Sequence, residues 1–401
     1  MNSTFQAVFT TTDDARRQAS SRMSDLFLCA LIPLNMAVPG LPVDIPVPEL
    51  AVMALALLAS NRRPDTARRP RWFAPLLCSM WFALALSAFI NDIDAWRRLL
   101  HMANFVVLAL ILSSGRVDRR SAMRGVGLGF VIAAVSGLVN LVVPIFGSGY
   151  GDRLTGLLLD PNVAGYYLLI FGCVALAALN AFTPTRRREL MTAVFALMIL
   201  TVILTFSRTA LTALAFGLLW LLLRRLGHPR VALAALAVAA WQFSTYAERL
   251  RLWGPFQGRE GSDQLRERIE AAEQVLVSQS GLLGNGPGTA TVDVLDQSFF
   301  FHNSYFGMRA EGGWILTLAF GALVALVLIR LASTRLARRA PWLEMALIAI
   351  LIIGMSLGEV LLELPVAVVL GLAVRHIMET EEVDTGPARE QVHGVWRVPA
   401  S

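Results

Sequence analysis

The chain has no lysine: all 35 of its basic residues are arginine. Any anion held by a charged side chain is therefore gripped by a planar guanidinium fork and not by a point-charge ammonium. Charge of either sign is scarce. Only 16% of the 401 residues are charged, against about 25% in an ordinary soluble domain. Cysteine is nearly absent, and Cys29, Cys78 and Cys173 each fall in a separate apolar run. That scatter gives neither a disulfide framework nor a thiolate metal centre, and all three are expected to be buried. A cleavable signal peptide is not expected either, because residues 1–23 are mostly polar ahead of the first apolar run. There is no internal repeat and no low-complexity tract.

Apolar sequence is abundant. Hydrophobic residues make up 56% of the chain and the mean hydropathy is +0.59. Runs near the roughly 20 residues a bilayer-spanning helix needs cover residues 24–40, 46–60, 72–90, 99–114, 122–146, 161–182, 190–206, 208–223, 230–246, 303–330, 342–360 and 363–377. They predict an all-α polytopic membrane protein with about twelve transmembrane helices. Pro33 and Pro39 interrupt the first run, which is expected to kink there.

Arginine placement tests that count. If the N-terminus is cytoplasmic, 25 of the 35 arginines fall in segments on the cytoplasmic side, as the positive-inside rule requires. The net charge of +6 is thus a topology signal, and no nucleic-acid partner is expected. The chain divides into a cytoplasmic segment 1–23, helices one to nine over 24–246, and an outer loop 247–302. Helices ten to twelve follow over 303–377, then a polar tail 378–401 expected to be disordered and cytoplasmic.

The arginines left on the outer face need another account. Arg97, Arg98 and Arg259 read as solvated loop residues. Arg208 differs, because it stands in LTFSRTALTAL, where a two-residue polar break joins two apolar runs. An arginine at that depth requires an anionic partner. The outer loop holds an amphipathic helix over Asp263–Ser280, with Leu265, Ile269, Ala272 and Leu276 on one stripe. Ser262 or Asp263 can cap its start and Gly281 its end. Arg266 and Glu270 are one turn apart, a spacing that alone explains them as a surface ion pair. GLLGNGPG follows at residues 281–288; its spacing is not that of a nucleotide phosphate loop, and it reads as a tight loop positioning the next helix. That helix begins in FHNSYFGMRAEGGW, Phe301–Trp314, where His302, Arg309 and Glu311 stand at the edge of a long apolar run. Ionisable groups at such an edge usually mark a working site.

Four motifs together carry a resemblance. RLTGLLLDPNVAGYY, Arg153–Tyr167, is similar to an Arg–Gly–(Asp/Asn)–Pro–Asn element before a helix start. TFSRTALTAL, Thr205–Leu214, is similar to a Ser-Arg-(Thr/Gly)-Ala turn. Arg266 followed by GLLGNGPG resembles an Arg-x3-Trp helix leading into Pro-Leu-Leu-Gly-x-Gly. HNSYFGMRAEGG, His302–Gly313, resembles a His-Asn-x-Tyr…Glu-x-Gly signature. All four, in this order, resemble the O-antigen ligase and O-antigen polymerase superfamily of bacterial envelope glycosyltransferases. Two positions depart from its pattern: Glu270 stands where tryptophan is usual and Gly281 where proline is. The first departure divides the expected cation role between Arg266 and Arg268.

The resemblance implies a type-C glycosyltransferase fold in the bacterial inner membrane, with both termini cytoplasmic and the active site periplasmic. It implies an undecaprenyl-pyrophosphate-linked glycan as donor and a lipid A–core sugar as the ligase's acceptor. The residue types suit that chemistry. A donor outside the cytoplasm must arrive on a lipid, and displacing its diphosphate develops negative charge that prearranged cations stabilise. Arg153, Arg208, Arg266 and Arg268 are the candidates for that role. No carboxylate cluster points to a metal, so neither metal nor cofactor is expected. His302 has the intrinsic pKa of a general base; the alternative is a histidine that only bonds the helix start. Asn303 is expected to cap that helix. Tyr305 and Arg309 share His302's helical face and, with Asn303, Glu311, Asp160 and Asn162, could line the sugar site. Glu311 could orient an arginine, and Asp160 reads as a helix N-terminal residue. Direct attack on C1 would invert the anomeric centre. A polymerase shares all this and differs in acceptor; a transporter or flippase is a different class with a similar helix count.

Overall fold

A computed structural model describes residues 22–36, 45–64, 70–145, 153–158, 160–182, 187–226, 229–250, 260–334 and 340–385. Among these residues the chain forms thirteen α-helices and one two-stranded sheet. In order they are α1 (22–31), α2 (Val47–Ser60), α3 (Phe73–Ile90), α4 (Trp96–Ser113), α5 (Arg119–Val142), α6 (Pro161–Phe182), α7 (Arg187–Leu204), α8 (Arg208–Leu223) and α9 (Pro229–Leu250). There follow α10 (Glu260–Gln279), β1 (Thr291–Val294), β2 (Gln297–Phe300), α11 (Ser304–Ser333), α12 (Pro341–Ile353) and α13 (Leu364–Thr385).

Five of them, α3, α4, α5, α6 and α11, are long and apolar enough to cross a membrane. The other expected spans are shorter or less apolar helices. The apolar window of α6 is 83% buried against 39–44% in the other four, so α6 is central and the rest present an apolar outer surface. Phe82, Phe89, Leu128, Val139, Leu318 and Ile329 are exposed there, as lipid contact requires. Helix starts are capped where the sequence supplies acceptors. The Asp118 carboxylate accepts the Ser121 N–H at 2.8 Å before α5, and the Ser207 hydroxyl accepts the Ala210 N–H at 3.4 Å before α8.

Several expectations are corrected. α1 stops at residue 31, and Pro33 ends it instead of kinking a span; Pro39 lies outside the described residues. Cys78 is exposed on α3, while Cys29 and Cys173 are buried. α13 continues to Thr385, so the first part of the expected disordered tail is helical; residues 386–401 lie outside the described residues. Its Glu379 receives Arg119, and its Glu381 accepts from Arg330 at 2.7 Å.

Two apolar runs are broken. α11 is two helices joined at Gly313, which has φ 66° and ψ −161°, a conformation essentially confined to glycine. A Cβ there would overlap the carbonyl of Leu282. α12 has only 13 residues, about 20 Å at 1.5 Å per residue. The stretch 354–363, expected as the end of one span and a short turn, is instead an irregular link with a single 3₁₀ turn at Val360–Leu362. Its backbone is tied to α11 and α6. Ser304 N–H donates to Gly354 O at 2.9 Å, Val360 N–H to the Ser304 hydroxyl at 3.1 Å, and the Tyr166 hydroxyl to Val360 O at 3.2 Å. Irregular backbone survives inside a membrane bundle only when satisfied in this way.

Candidate functional site

One end of the bundle gathers the segment before α6, the starts of α4, α8 and α11, the 354–363 link, and α10 with the hairpin above them. Ser207 caps α8, and Arg208 is its first residue. Arg153 reaches the same turn: its Nε donates to Thr205 O at 2.9 Å and its Nη2 to Asn162 Oδ1 at 3.2 Å. The Asp160 carboxylate accepts the N–H groups of Asn162 and Val163 at 2.8 and 3.0 Å, which caps α6 as expected. Thr209 and Ser356 are joined by hydroxyls 3.1 Å apart, and Gly358 of the same link abuts Phe301 and His302. The turn at Thr205–Thr209, which Arg153 holds, and the segment at His302 are therefore both packed against the 354–363 link.

α10 lies against β1 and α11 through Ile269, Val277, Ala290, Val292, Phe301 and Ala310, a small apolar cluster separate from the bundle core. The stripe was expected, although α10 starts at Glu260, so Ser262 and Asp263 lie inside its first turn and not ahead of it. The left-handed glycines after it are Gly284, Gly286 and Gly288, not Gly281. That loop is a positioning loop: Asn285 N–H donates to Ala310 O at 2.6 Å and Gly286 N–H to Glu311 O at 3.2 Å.

Asn303 caps α11, its Oδ1 accepting the Tyr305 and Phe306 N–H groups at 3.0 and 3.3 Å. Just before it, His302 is half-buried and its Nδ1 lies 3.2 Å from Phe300 O. A carbonyl only accepts, so Nδ1 carries the proton and Nε2 keeps its lone pair. Burial first, then the Arg266 charge, hold the imidazole below its ordinary pKa, against an upward pull from the Phe300 carbonyl. A neutral imidazole with a free Nε2 is a base at neutral pH.

Of the other expected residues, Arg266 is partly buried and faces His302 electrostatically, while Arg268 is exposed. Tyr305 turns into the bundle, its hydroxyl donating to Leu351 O at 2.9 Å. Arg309 stacks on Trp314, with its guanidinium carbon 4.1 Å from the ring centroid, a cation–π contact. Glu311 does orient an arginine, and the arginine is Arg98. Its Oε2 accepts from Arg98 Nε and Nη2 at 3.2 and 3.1 Å, and its Oε1 accepts the Gly288 N–H at 2.9 Å.

Arg98 therefore is not the solvated residue expected of it. Glu359 lies 3.6 Å from the same guanidinium, and Arg97 alone is exposed; Arg259 lies outside the described residues. One turn along α4, His101 sits between Glu49 and Glu363, at 2.7 and 3.4 Å. A small cavity is lined by Arg98, Phe301, Ser304, Met308, Glu359 and Leu361. Sequence reasoning missed this ionisable group, yet Arg98 meets the criterion that singled out Arg208, since it borders an apolar run. Glu273 was missed too. It is 0% exposed, and it interrupts the apolar row Ile269–Glu273–Val277, which was the available signal. No family model matches the chain, and no curated protein matches it.

Proposed function

We propose that the protein is a glycosyltransferase that moves a glycan from a polyprenyl diphosphate to a sugar hydroxyl, and specifically an O-antigen ligase. The observation that carries this reading is a half-buried, neutral His302 facing Arg266, beside the link whose Ser356 touches the α8 start that carries Arg208 and is held by Arg153. Guanidinium groups fixed at a membrane edge suit a diphosphate bidentately and stay charged at any working pH. The acceptor hydroxyl oxygen attacks C1 of the donor sugar as its proton passes to His302 Nε2. The bond from C1 to the diphosphate oxygen breaks, and the negative charge that develops there is met by the arginines. One displacement inverts the anomeric centre. The acceptor separates ligase from polymerase: for a ligase, gene deletion should remove O-antigen of every length from lipopolysaccharide, whereas a single capped repeat would mean a polymerase. The direct test is transfer by purified protein in detergent with no ion gradient. His302→Ala and Arg153→Ala should abolish it at matched folding, and full activity in the histidine variant would refute the assignment.

A second reading has an observation of its own. The Glu49–His101–Glu363 cluster between α2, α4 and the 354–363 link is what a proton-coupled transporter of lipid-linked glycans would carry. A strict requirement for an ion gradient would favour it.

A further inference from the structure

We infer that Glu273 is a positioning residue for His302: its carboxylate ties the outer helix α10 to the backbone at His302 and Asn303, so that seating α10 and placing the imidazole are one event. This rests on the reading of His302 as a base. Glu273 Oε1 accepts the His302 N–H at 2.5 Å, and the next N–H, of Asn303, also favours the ionised carboxylate. Its Oε2 is buried with no hydrogen-bond partner. Stability alone argues against a carboxylate here. It sits in the apolar cluster of Ile269, Val277 and Phe301, where a half-satisfied charge is worse than a hydrophobe of equal volume. What the carboxylate does that a leucine could not is accept the His302 N–H at the entrance to α11, next to the imidazole and the Asn303 cap.

The tie is titratable. Burial raises Glu273 to about 7, with Glu270 pushing the same way and the two backbone N–H groups pulling it down. The charged or titratable groups around it are Glu270 on α10 and, before α11, His302, which in turn faces Arg266. Because burial outweighs the N–H groups and holds the carboxyl above its ordinary range, ionisation works against the seat, and opening it becomes easier as pH rises through neutrality.

The test is hydrogen exchange of the full-length protein in detergent at pH 6 and pH 8, corrected for intrinsic exchange, with transfer kinetics alongside. Glu273→Leu should raise exchange over residues 301–304, where the His302 N–H loses its acceptor, while α4–α6 stay protected. Glu273→Gln keeps an accepting oxygen and should restore protection but abolish its pH dependence. Unchanged protection in the Leu variant overturns the inference, as does a Gln variant that still titrates. Where wild-type protein transfers glycan, the Leu variant should lose about 10²-fold in kcat, the scale of a 1 Å misplacement, with KM little changed. Absent transfer by wild type, with the exchange pattern as stated, refutes the transferase and leaves the tie standing. Normal transfer and protection in the Leu variant refute the tie and leave the transferase.

Discussion

Glu311 was expected to orient an arginine as well as to line the sugar site, and its surroundings make the first role measurable. It is 1% exposed, and its two oxygens receive two guanidinium N–H groups of Arg98 and one backbone N–H of Gly288. Arg98→Met would leave a buried carboxylate with one neutral donor, and stranding half of a buried pair costs about 3–5 kcal/mol. Glu311→Leu should fall toward the low end, about 3 kcal/mol, because Glu359 stays 3.6 Å from Arg98. The double variant replaces a pair with two hydrophobes, a change often neutral, so the two losses should not add. With the double variant near neutral, those single losses imply a coupling of about 6–8 kcal/mol, well beyond the roughly 0.5 kcal/mol within which independent sites add. Equilibrium unfolding of wild type, both single variants and the double variant in one detergent measures it. Additive losses would refute the pairing. Transfer per folded molecule near wild type in the double variant would place Glu311 among residues that hold the site, whereas a selective loss of kcat would return it to the sugar.

Gly313→Ala places a side chain at positive φ against the Leu282 carbonyl. Strain of about 1–3 kcal/mol plus overpacking of about 1–3 kcal/mol should lower the melting temperature clearly, and an unchanged melt would disprove the break in α11. Arg266→Ala removes a positive charge that disfavours the imidazolium, so the His302 pKa should rise toward its ordinary value. The acid limb of kcat/KM should then move to higher pH, and a limb that stays or moves lower contradicts the geometry. Asp160→Ala should destabilise α6 by about 1 kcal/mol and loosen Asn162, which holds Arg153; transfer assays should find KM raised with kcat nearly kept.

The sequence makes plain those features that depend on one residue and its near neighbours. Apolar runs outline the helices, the row through Leu265, Ile269 and Leu276 outlines α10, and Asn303 and Asp160 are caps by type and position. The hairpin is different. Its turn, Leu295–Asp296, has both residues at positive φ, where Asn-Gly is the usual signal, so nothing local announces it. The 354–363 link hides for the opposite reason. Met355, Leu357 and Val360–Leu362 continue an apolar run, and hydropathy cannot tell that Ser304 and Tyr166, far away in the chain, take over the backbone bonds a helix would have made.

The arginines sharpen this distinction. Arg98 and Arg208 meet the same local test, a guanidinium at the edge of an apolar run, so the sequence can say that each needs a partner. It cannot say which. Arg98 meets a carboxylate 213 positions away, on a helix whose Gly313 break and left-handed glycine loop hold Glu311 at that height. Nothing in the residues flanking Arg98 encodes that height. Once the helices are assembled, Arg98 is tied to the chain's own acid while Arg153 holds the turn that carries Arg208, and it is at that second turn that a diphosphate would have to be met.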